Sequence, residues 1–196
     1  MTRRRLAIAL VHHPVLDKGG AIVTTALTNL DVHDLARSAR TYGCTDYFVV
    51  HPIPAQRELA TRIVEHWTEG SSAKRIPDRK DALSVVRPVD TLATAISALG
   101  SSSSSLDAGA ATAKVEVWVT AARSIGAPIT FAGARARLEQ EGPPVLLVFG
   151  TGWGLAPSIT DAADAVLEPI RGAGEWNHLS VRAACAIALD RLLSPG

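Results

Sequence analysis

Apolar residues follow two alternating patterns along the chain. Runs of consecutive apolar residues predict buried strands at Leu6–His12, Tyr47–His51, Val115–Thr120 and Val145–Phe149, and more weakly at Ser84–Arg87 and Ala165–Glu168. Apolar residues recurring every three or four positions predict helices at Asp31–Tyr42, Ala55–Thr68, Thr91–Leu99, Phe131–Gln140 and Leu179–Leu193. The alternation of strand and helix predicts an α/β fold, a mainly parallel sheet flanked by helices.

Turn signals and one biased segment divide the pattern. Asp17–Gly20 predicts a turn, and Gly43 has the position of a glycine that ends a helix. The segment at about 100–113 contains five consecutive serines followed by small residues, which predicts a flexible loop. Too few strands precede this loop to complete a core, so we expect residues 1–196 to form a single domain.

Composition restricts the class of protein. Of the 196 residues, 47% are apolar and 20% charged, which predicts a globular core and excludes collagen-like, mucin-like and disulfide-scaffold proteins. A net charge of +1 argues against nucleic-acid binding through bulk charge. Arginine nevertheless outnumbers lysine sixteen to four, and arginine is suited to binding phosphates.

The N-terminal and cysteine patterns bear on location. Arg3–Arg5 followed by Leu6–Val11 resembles a signal peptide, but no small-residue cleavage site follows and the apolar run is short, so a first strand is the better interpretation. No run approaches the roughly 20 apolar residues that span a bilayer. Cys44 and Cys185 form neither a zinc set nor a disulfide framework. We expect a cytoplasmic protein without a membrane or metal partner.

A glycine-rich turn is the most prominent candidate site. Val145–Phe149 runs into Gly150-Thr-Gly-Trp-Gly154, where backbone N–H groups can approach a ligand closely. One alternative is a tight turn that merely needs glycine geometry. Another is a nucleotide-dependent oxidoreductase, although the spacing departs from G-x-G-x-x-G and Asp164 precedes the next strand instead of ending it.

Two further loops follow predicted strands. Glu168–Gly174 leads through Trp176 to Ser180 and the last helix, and Val119–Ser124 ends another strand. Ligands of α/β sheets bind beyond the carboxyl ends of the strands, so we expect the three loops to converge. The plainer alternative for the first is a helix capped by Asn177 or Ser180.

The first predicted helix carries a polar row. His33, Arg37 and Arg40 are three to four residues apart, opposite an apolar stripe. Such a row is either a solvated face or a functional one, and Asp34 can pair locally with Arg37 or Ser38.

These four segments, in this order, resemble the SPOUT class of S-adenosylmethionine-dependent RNA methyltransferases, above all its ribose-methylating branch. Arg37 matches the arginine of the family's first motif, while Asp31 stands where an asparagine is expected. Pro169-Ile-Arg-Gly172 and Asn177-His-Leu-Ser180 resemble the last motif, with His178 at another asparagine position.

The resemblance implies a C-terminal trefoil knot, a homodimer through the terminal helix, and S-adenosylmethionine held by three knot loops. The residues it implies for the methyl donor are Thr120, Gly150, Gly152, Trp153, Gly154, Ile170, Gly172, His178, Leu179 and Ser180. It makes Arg37 the group that orients the nucleophile. Because a histidine titrates in the useful range, His33 or His178 is a candidate proton acceptor, and a structural role is the alternative for each.

The implied reaction is methyl transfer to a ribose 2′-hydroxyl or a base nitrogen of tRNA or rRNA. Both departures from the motifs keep open a non-catalytic RNA- or ribosome-binding module. We expect RNA phosphates to meet local arginines: Arg3–Arg5, Arg37 with Arg40, and Arg123 with Arg135 and Arg137. Trp153 and Trp176 offer faces on which bases could stack, or else fill an interface.

Overall fold

The protein, seen in a computed structural model that describes residues 3–69, 75–101, 113–174 and 176–194, contains one large sheet and a short hairpin. The strands are β1 (Leu6–Val11), β2 (Val15–Leu16), β3 (Ile22–Val23), β4 (Tyr47–Val50), β5 (Val86–Val89), β6 (Glu116–Val119), β7 (Val145–Gly150) and β8 (Ala165–Val166). The sheet has the order β5-β4-β1-β7-β6-β8. All of its neighbours are parallel, so their carboxyl ends share one edge.

Helices cover both faces of this sheet. They are α1 (Asn29–Thr41), α2 (Pro54–Thr68), α3 (Pro77–Leu83), α4 (Leu92–Ser101), α5 (Phe131–Leu138), α6 (Pro157–Thr160) and α7 (Val181–Leu193). One apolar cluster joins α1, α5 and α7 to the side of β1 that carries Ile8 and Leu10. The other joins α4, α6 and β2 to the side that carries Ala9 and Val11. Because both faces of β1 are covered, its six residues are all buried.

Two helix starts that position the candidate site have side-chain caps. The Thr28 hydroxyl accepts the Asp31 N–H at the start of α1, and the Ser180 hydroxyl accepts the Ala183 N–H at the start of α7. Ser180 therefore caps the last helix, while Asn177 is left for another contact. Gly43 follows α1 with φ of 74°, the left-handed conformation predicted for a glycine that ends a helix.

The parallel α/β architecture is confirmed, two local predictions need correction, and one element was not predicted. The strand expected at Ser84–Arg87 is β5, at Val86–Val89, because α3 continues to Leu83. Two-residue strands are too short to show alternation, so the β2–β3 hairpin was not predicted. Gly100 and Ser101 belong to α4, whereas the rest of the predicted serine-rich loop, 102–112, lies outside the described residues.

Two other predictions concern the knot and membrane-spanning helices. The trefoil knot implied by the resemblance stays a prediction. In the part of the chain that the structure describes, the helices are too short or too polar to cross a bilayer.

Candidate active site

The three predicted loops meet at the carboxyl edge of the sheet. The Asn177 side-chain amide donates a hydrogen bond to the Ala122 carbonyl oxygen at 3.1 Å, joining the loop before α7 to the loop after β6. The rings of Trp153 and His178 lie edge to face with centroids 6.5 Å apart, which brings the glycine-rich turn to the same place. The predicted convergence is therefore present, built from contacts between the loops themselves.

The glycine-rich turn packs against the β2–β3 hairpin. The Trp153 N–H donates to the Leu16 carbonyl, and the Leu16 N–H donates to the Gly154 carbonyl, both at 2.9 Å. Gly152 has φ of 60°, and a Cβ added to it would lie 2.8 Å from the Leu16 carbonyl oxygen. Glycine is required at 152 because the hairpin backbone approaches so closely.

The other two glycines of this turn face different surroundings. A Cβ on Gly150 would lie 2.9 Å from the Leu155 nitrogen, so this glycine also serves packing within the chain. Gly154 has φ of 112° and open space where a Cβ would stand. Of these glycines, Gly154 leaves room for a ligand beside the backbone.

A polar chain fastens the hairpin to the turn. The Thr25 hydroxyl contacts His12 Nδ1 at 3.1 Å and the Thr151 hydroxyl at 2.5 Å. Thr151 in turn reaches the Val11 carbonyl at 3.2 Å. This series of hydrogen bonds connects the carboxyl ends of β1 and β7 through Thr25, which follows the hairpin.

Two buried histidines lie at the base of this chain. His12 and His51 stack with ring centroids 5.2 Å apart. His51 Nδ1 accepts the Ile53 N–H, so its Nε2 carries the proton and donates to the Thr25 carbonyl at 2.9 Å. Burial, with help from His51, lowers the pKa of His12 to about 4, while Asp31 opposes the shift. Burial likewise lowers the pKa of His51. Both rings are therefore neutral at neutral pH.

Arg37 and Ser180 line the same cavity, of about 430 Å³, between α1 and α7. Arg37 is exposed, and it makes no hydrogen bond or ion pair with the other described residues. Its guanidinium is thus available to an anion or a hydroxyl oxygen. The sequence placed these two residues in one site from different motifs, and the fold brings them together.

Asp31, one of the two departures from the family pattern, has a partner of its own. Its carboxylate accepts from Arg182 at 3.2 Å and from the Thr28 hydroxyl at 2.6 Å. Arg182 also contacts the Asp34 carboxylate at 3.3 Å, so this carboxylate pairs across to α7 and not with Arg37. The expected local contact with Ser38 is made through the backbone, because the Ser38 hydroxyl donates to the Asp34 carbonyl at 2.9 Å. The charge introduced at position 31 is therefore neutralised by an arginine of the last helix.

His33 has surroundings different from those of Arg37. Its ring lies edge to face with Trp67, with centroids 5.7 Å apart, and it does not line the cavity that Arg37 shares with Ser180. Burial is the main cause that lowers the pKa of His33. Arg79 and Arg37 add to this shift, and Asp34 opposes it.

Four of the ten residues expected to hold the donor line a second cavity, of about 240 Å³: Ile170, Gly172, His178 and Leu179. Ser180 lines the first cavity, and the other five line neither: Thr120, Gly150, Gly152, Trp153 and Gly154. The apolar walls of the second cavity are Ile170, Leu179 and Ile187, and its rim includes Gly172 and His178. The N–H groups of Ile170, Gly172 and Leu179 donate to no other described residue. Apolar walls with free backbone donors suit a planar, hydrogen-bonding nucleoside, so these residues fit S-adenosylmethionine.

Two polar residues considered for ligand binding already have hydrogen-bond partners. The Thr120 hydroxyl and N–H both donate to the Val148 carbonyl, at 3.1 and 3.0 Å, so neither is available to a ligand. The Asp164 carboxylate accepts the Val117 N–H at 2.8 Å. Asp164 lies at the amino end of β8, so it does not end a strand as the ribose-binding acidic residue of a nucleotide-dependent oxidoreductase does.

Several arginines of two expected RNA-binding clusters have partners within the chain. Arg4 is buried against Glu116 at 3.0 Å, and Arg137 contacts the same carboxylate at 3.1 Å, at the amino end of β6. Arg135 donates to the carbonyls of Leu192 and Ser194. These side chains stabilise the edge of the sheet opposite the loops, so only Arg123 of that set stands beside the candidate site.

Sequence reasoning missed the polar chain and the partner of Asp31. His12 looked like the end of a strand, and Thr25 lay in a segment with no pattern. Arg182 interrupts the apolar start of α7, which was the available signal that an acidic partner was needed.

Comparison with known proteins agrees with this geometry. Residues 5–194 match a family described as SAM-dependent RNA methyltransferase. A tRNA (guanine-N(1)-)-methyltransferase of Nitratidesulfovibrio vulgaris is 44% identical over 191 residues, 97% of this chain but 42% of that protein. The chain therefore spans less than half the length of that relative. An uncharacterized protein of Aquifex aeolicus is 38% identical over 99% of this chain and 91% of its own length.

A solved structure extends the comparison to the fold. The SpoU methyltransferase AviRb of Streptomyces viridochromogenes, in complex with AdoMet, superposes with a TM-score of 0.56 at 12% identity, covering 98% of this chain and 58% of that one. This likeness establishes a common fold of the SPOUT type. With the family match over nearly its whole length, the chain belongs to the SAM-dependent RNA methyltransferases.

Proposed function

We propose that this chain transfers a methyl group from S-adenosylmethionine to a tRNA. The observation that carries the proposal is that Arg37 and Ser180 line one cavity, while the next residue back, Leu179, lines the apolar cavity that fits the donor. The name of the 44% identical relative supports tRNA as the class of substrate. The nucleophile is a ribose 2′-hydroxyl or a base nitrogen.

The donor site comprises backbone and apolar groups of the three loops. Its residues are Thr120, Gly150, Gly152, Trp153, Gly154, Ile170, Gly172, His178, Leu179 and Ser180. When bound, S-adenosylmethionine supplies an electrophilic methyl group on a sulfonium. The walls formed by Ile170 and Leu179 exclude water from that group, and the free N–H groups orient the nucleoside.

Arg37 positions the nucleophile. Since a guanidinium stays protonated, it acts as a donor that orients the target hydroxyl or its adjacent phosphate. For the proton acceptor we favour His178 over His33. His178 is exposed and lines the donor cavity, whereas His33 packs against Trp67. A base nitrogen as nucleophile would need no strong base.

Two assays test the activity. Calorimetry measures S-adenosylmethionine binding, and transfer of labelled methyl to total tRNA measures the reaction. Removing one positioned donor typically costs about 10²–10³ in rate, so we expect Arg37→Ala to lose that much while donor affinity changes little. Arg62→Ala, an exposed arginine on α2, is the matched control.

The outcomes separate the hypotheses. A folded chain that binds no S-adenosylmethionine contradicts the proposal. Donor and tRNA binding without methyl transfer identifies a non-catalytic binding module instead. Nuclease digestion with mass spectrometry of the methylated nucleoside distinguishes the ribose from the base, and His178→Ala against His33→Ala identifies the acceptor.

We further propose that the chain acts as a single domain and assembles as a homodimer through α7. The cavity between α1 and α7 is lined by Ala183 and Ala186, whose small side chains allow another helix to approach closely. Sedimentation equilibrium should show a dimer, and Ala186→Glu should shift it to monomer. A wild-type chain that sediments as a monomer contradicts this assembly.

A further inference from the structure

Three aromatic rings form an exposed group above the donor cavity. Trp176 is 80% exposed and Trp153 is 52% exposed, which is costly for such large apolar side chains unless a ligand covers them. The His178 ring lies between them, with its centroid 4.7 Å from that of Trp176 and 6.5 Å from that of Trp153. We call Trp153, Trp176 and His178 the aromatic lip.

The backbone beneath the aromatic lip is fixed while its rings are open. The Trp153 N–H is held by the Leu16 carbonyl, and Asn177, between the other two members, is bonded to Ala122. The rings are therefore carried on anchored loops and present their faces without a large loss of backbone freedom on binding.

Among the described residues, the charges beside the lip favour a polyanion. Arg171 and Arg191 line the same cavity as Trp176 and His178, and the described lining of that cavity contains no carboxylate. Exposed Arg123 follows Ala122, to which Asn177 is bonded. A partner that carries both flat aromatic surfaces and closely spaced negative charges is a single-stranded nucleic acid.

We propose that the aromatic lip binds an unstacked nucleobase of the RNA, with the adjacent phosphates on Arg171 and Arg123. This proposal rests on the proposed function, because it assigns the surface that presents the substrate to the donor. The lip adjoins the cavity that fits S-adenosylmethionine, so a base stacked there brings its own atoms or its ribose to the methyl group. Stacking tolerates any base, so the lip supplies affinity and orientation while sequence choice lies elsewhere.

The test compares RNA with and without bases. Fluorescence anisotropy, in the absence of S-adenosylmethionine, measures the affinity of the full chain for a labelled single-stranded RNA and for an abasic strand of equal length. Since Trp176→Ala removes one ring on which a base stacks, we expect it to bind the base-containing strand about tenfold more weakly. Trp153→Ala should behave likewise, Trp176→Phe should retain most of the affinity, and the abasic strand should bind all of them equally.

Leu59→Ala, on the exposed face of α2, is the matched control and should bind both strands as the wild type does. Equal loss of the two strands in Trp176→Ala overturns the proposal, as does no loss of either. A change from dimer to monomer in that variant, with equal loss of both strands, would assign the lip to a contact between two copies of this chain. A wild-type chain that does not prefer the base-containing strand also overturns it.

The failure of this proposal is distinct from that of the proposed function. Base-dependent RNA binding without methyl transfer would support the aromatic lip as an RNA-binding surface and contradict the proposed enzyme activity. Methyl transfer in the absence of any base-dependent effect of the Trp153 or Trp176 substitutions would support the enzyme activity and contradict the role of the aromatic lip.

Discussion

The Thr25 hydroxyl oxygen lies 2.5 Å from the Thr151 hydroxyl oxygen, and this contact joins the hairpin segment to the glycine-rich turn. Thr151→Val keeps the shape of the side chain and removes its hydrogen bonds to Thr25 and Val11. We expect the free energy of unfolding to fall by about 1–2 kcal/mol, since partly buried partners lose their hydrogen bonds. Urea denaturation measures this. Thr61→Val, at an exposed position of α2, should change stability by less than about 0.5 kcal/mol.

Replacing Gly152 should weaken the packing of the β2–β3 hairpin against the glycine-rich turn. A methyl group on Gly152 would stand 2.8 Å from the Leu16 carbonyl oxygen, and φ of 60° is strained for alanine. We expect Gly152→Ala to displace Leu16 and speed amide exchange at the Leu16 N–H, which donates to the Gly154 carbonyl, and at the Asp17 N–H, which donates to the Ala21 carbonyl. Exchange that stays at the wild-type rate would show that the hairpin is not held by this contact.

The Asp31–Arg182 pair should contribute more than a surface ion pair. Both carboxylate oxygens of Asp31 accept hydrogen bonds, and the Asp31 side chain is 8% exposed. We expect a double-mutant cycle of Asp31→Asn and Arg182→Met to give a coupling of about 1–2 kcal/mol. The exposed pair Glu58–Arg62 is the control and should give about 0.5 kcal/mol or less. Equal couplings in the two cycles would contradict the prediction.

Acid should destabilise the protein through His12. Its pKa is about 4 when folded and 6.5 in the unfolded chain, so the unfolded state binds the proton first as pH falls. Stability due to neutral His12 is full above pH 6.5 and is lost down to about pH 4, with a slope of up to about 1.4 kcal/mol per pH unit. His51, whose pKa is also lowered, acts in the same direction. His12→Gln should reduce the pH dependence of the free energy of unfolding, measured by urea denaturation between those pH values. An unchanged slope would contradict the role of His12 in acid destabilisation.

Sequence reasoning recovered those parts of the fold that depend on local pattern. The long apolar runs of β1 and β7, the periodicity of α7 and the glycine after α1 each reveal their element within a few residues. The loops were found because polar and small residues directly follow strands. Arg37 was identified from its resemblance to a family motif.

What the sequence did not reveal depends on contacts between distant segments. Leu16 pairs with Gly154, and Thr25 meets Thr151, yet neither partner carries a periodic signal. The arginines that precede β1 and those of α5 looked available for RNA because charge alone does not show that Arg4 and Arg137 share Glu116. Composition reports how many arginines exist, and only the fold shows which of them are free.

The central position of β1 has a consequence for how the chain folds. β1 pairs with β4 on one side and with β7, beginning at Val145, on the other. During synthesis β1 and β4 emerge early, but the second edge of β1 stays unpaired until most of the chain has been made. An exposed, wholly apolar edge is prone to intermolecular pairing, and such non-local contacts slow folding. Refolding yield should therefore fall as protein concentration rises, with β1 as the segment most exposed to aggregation.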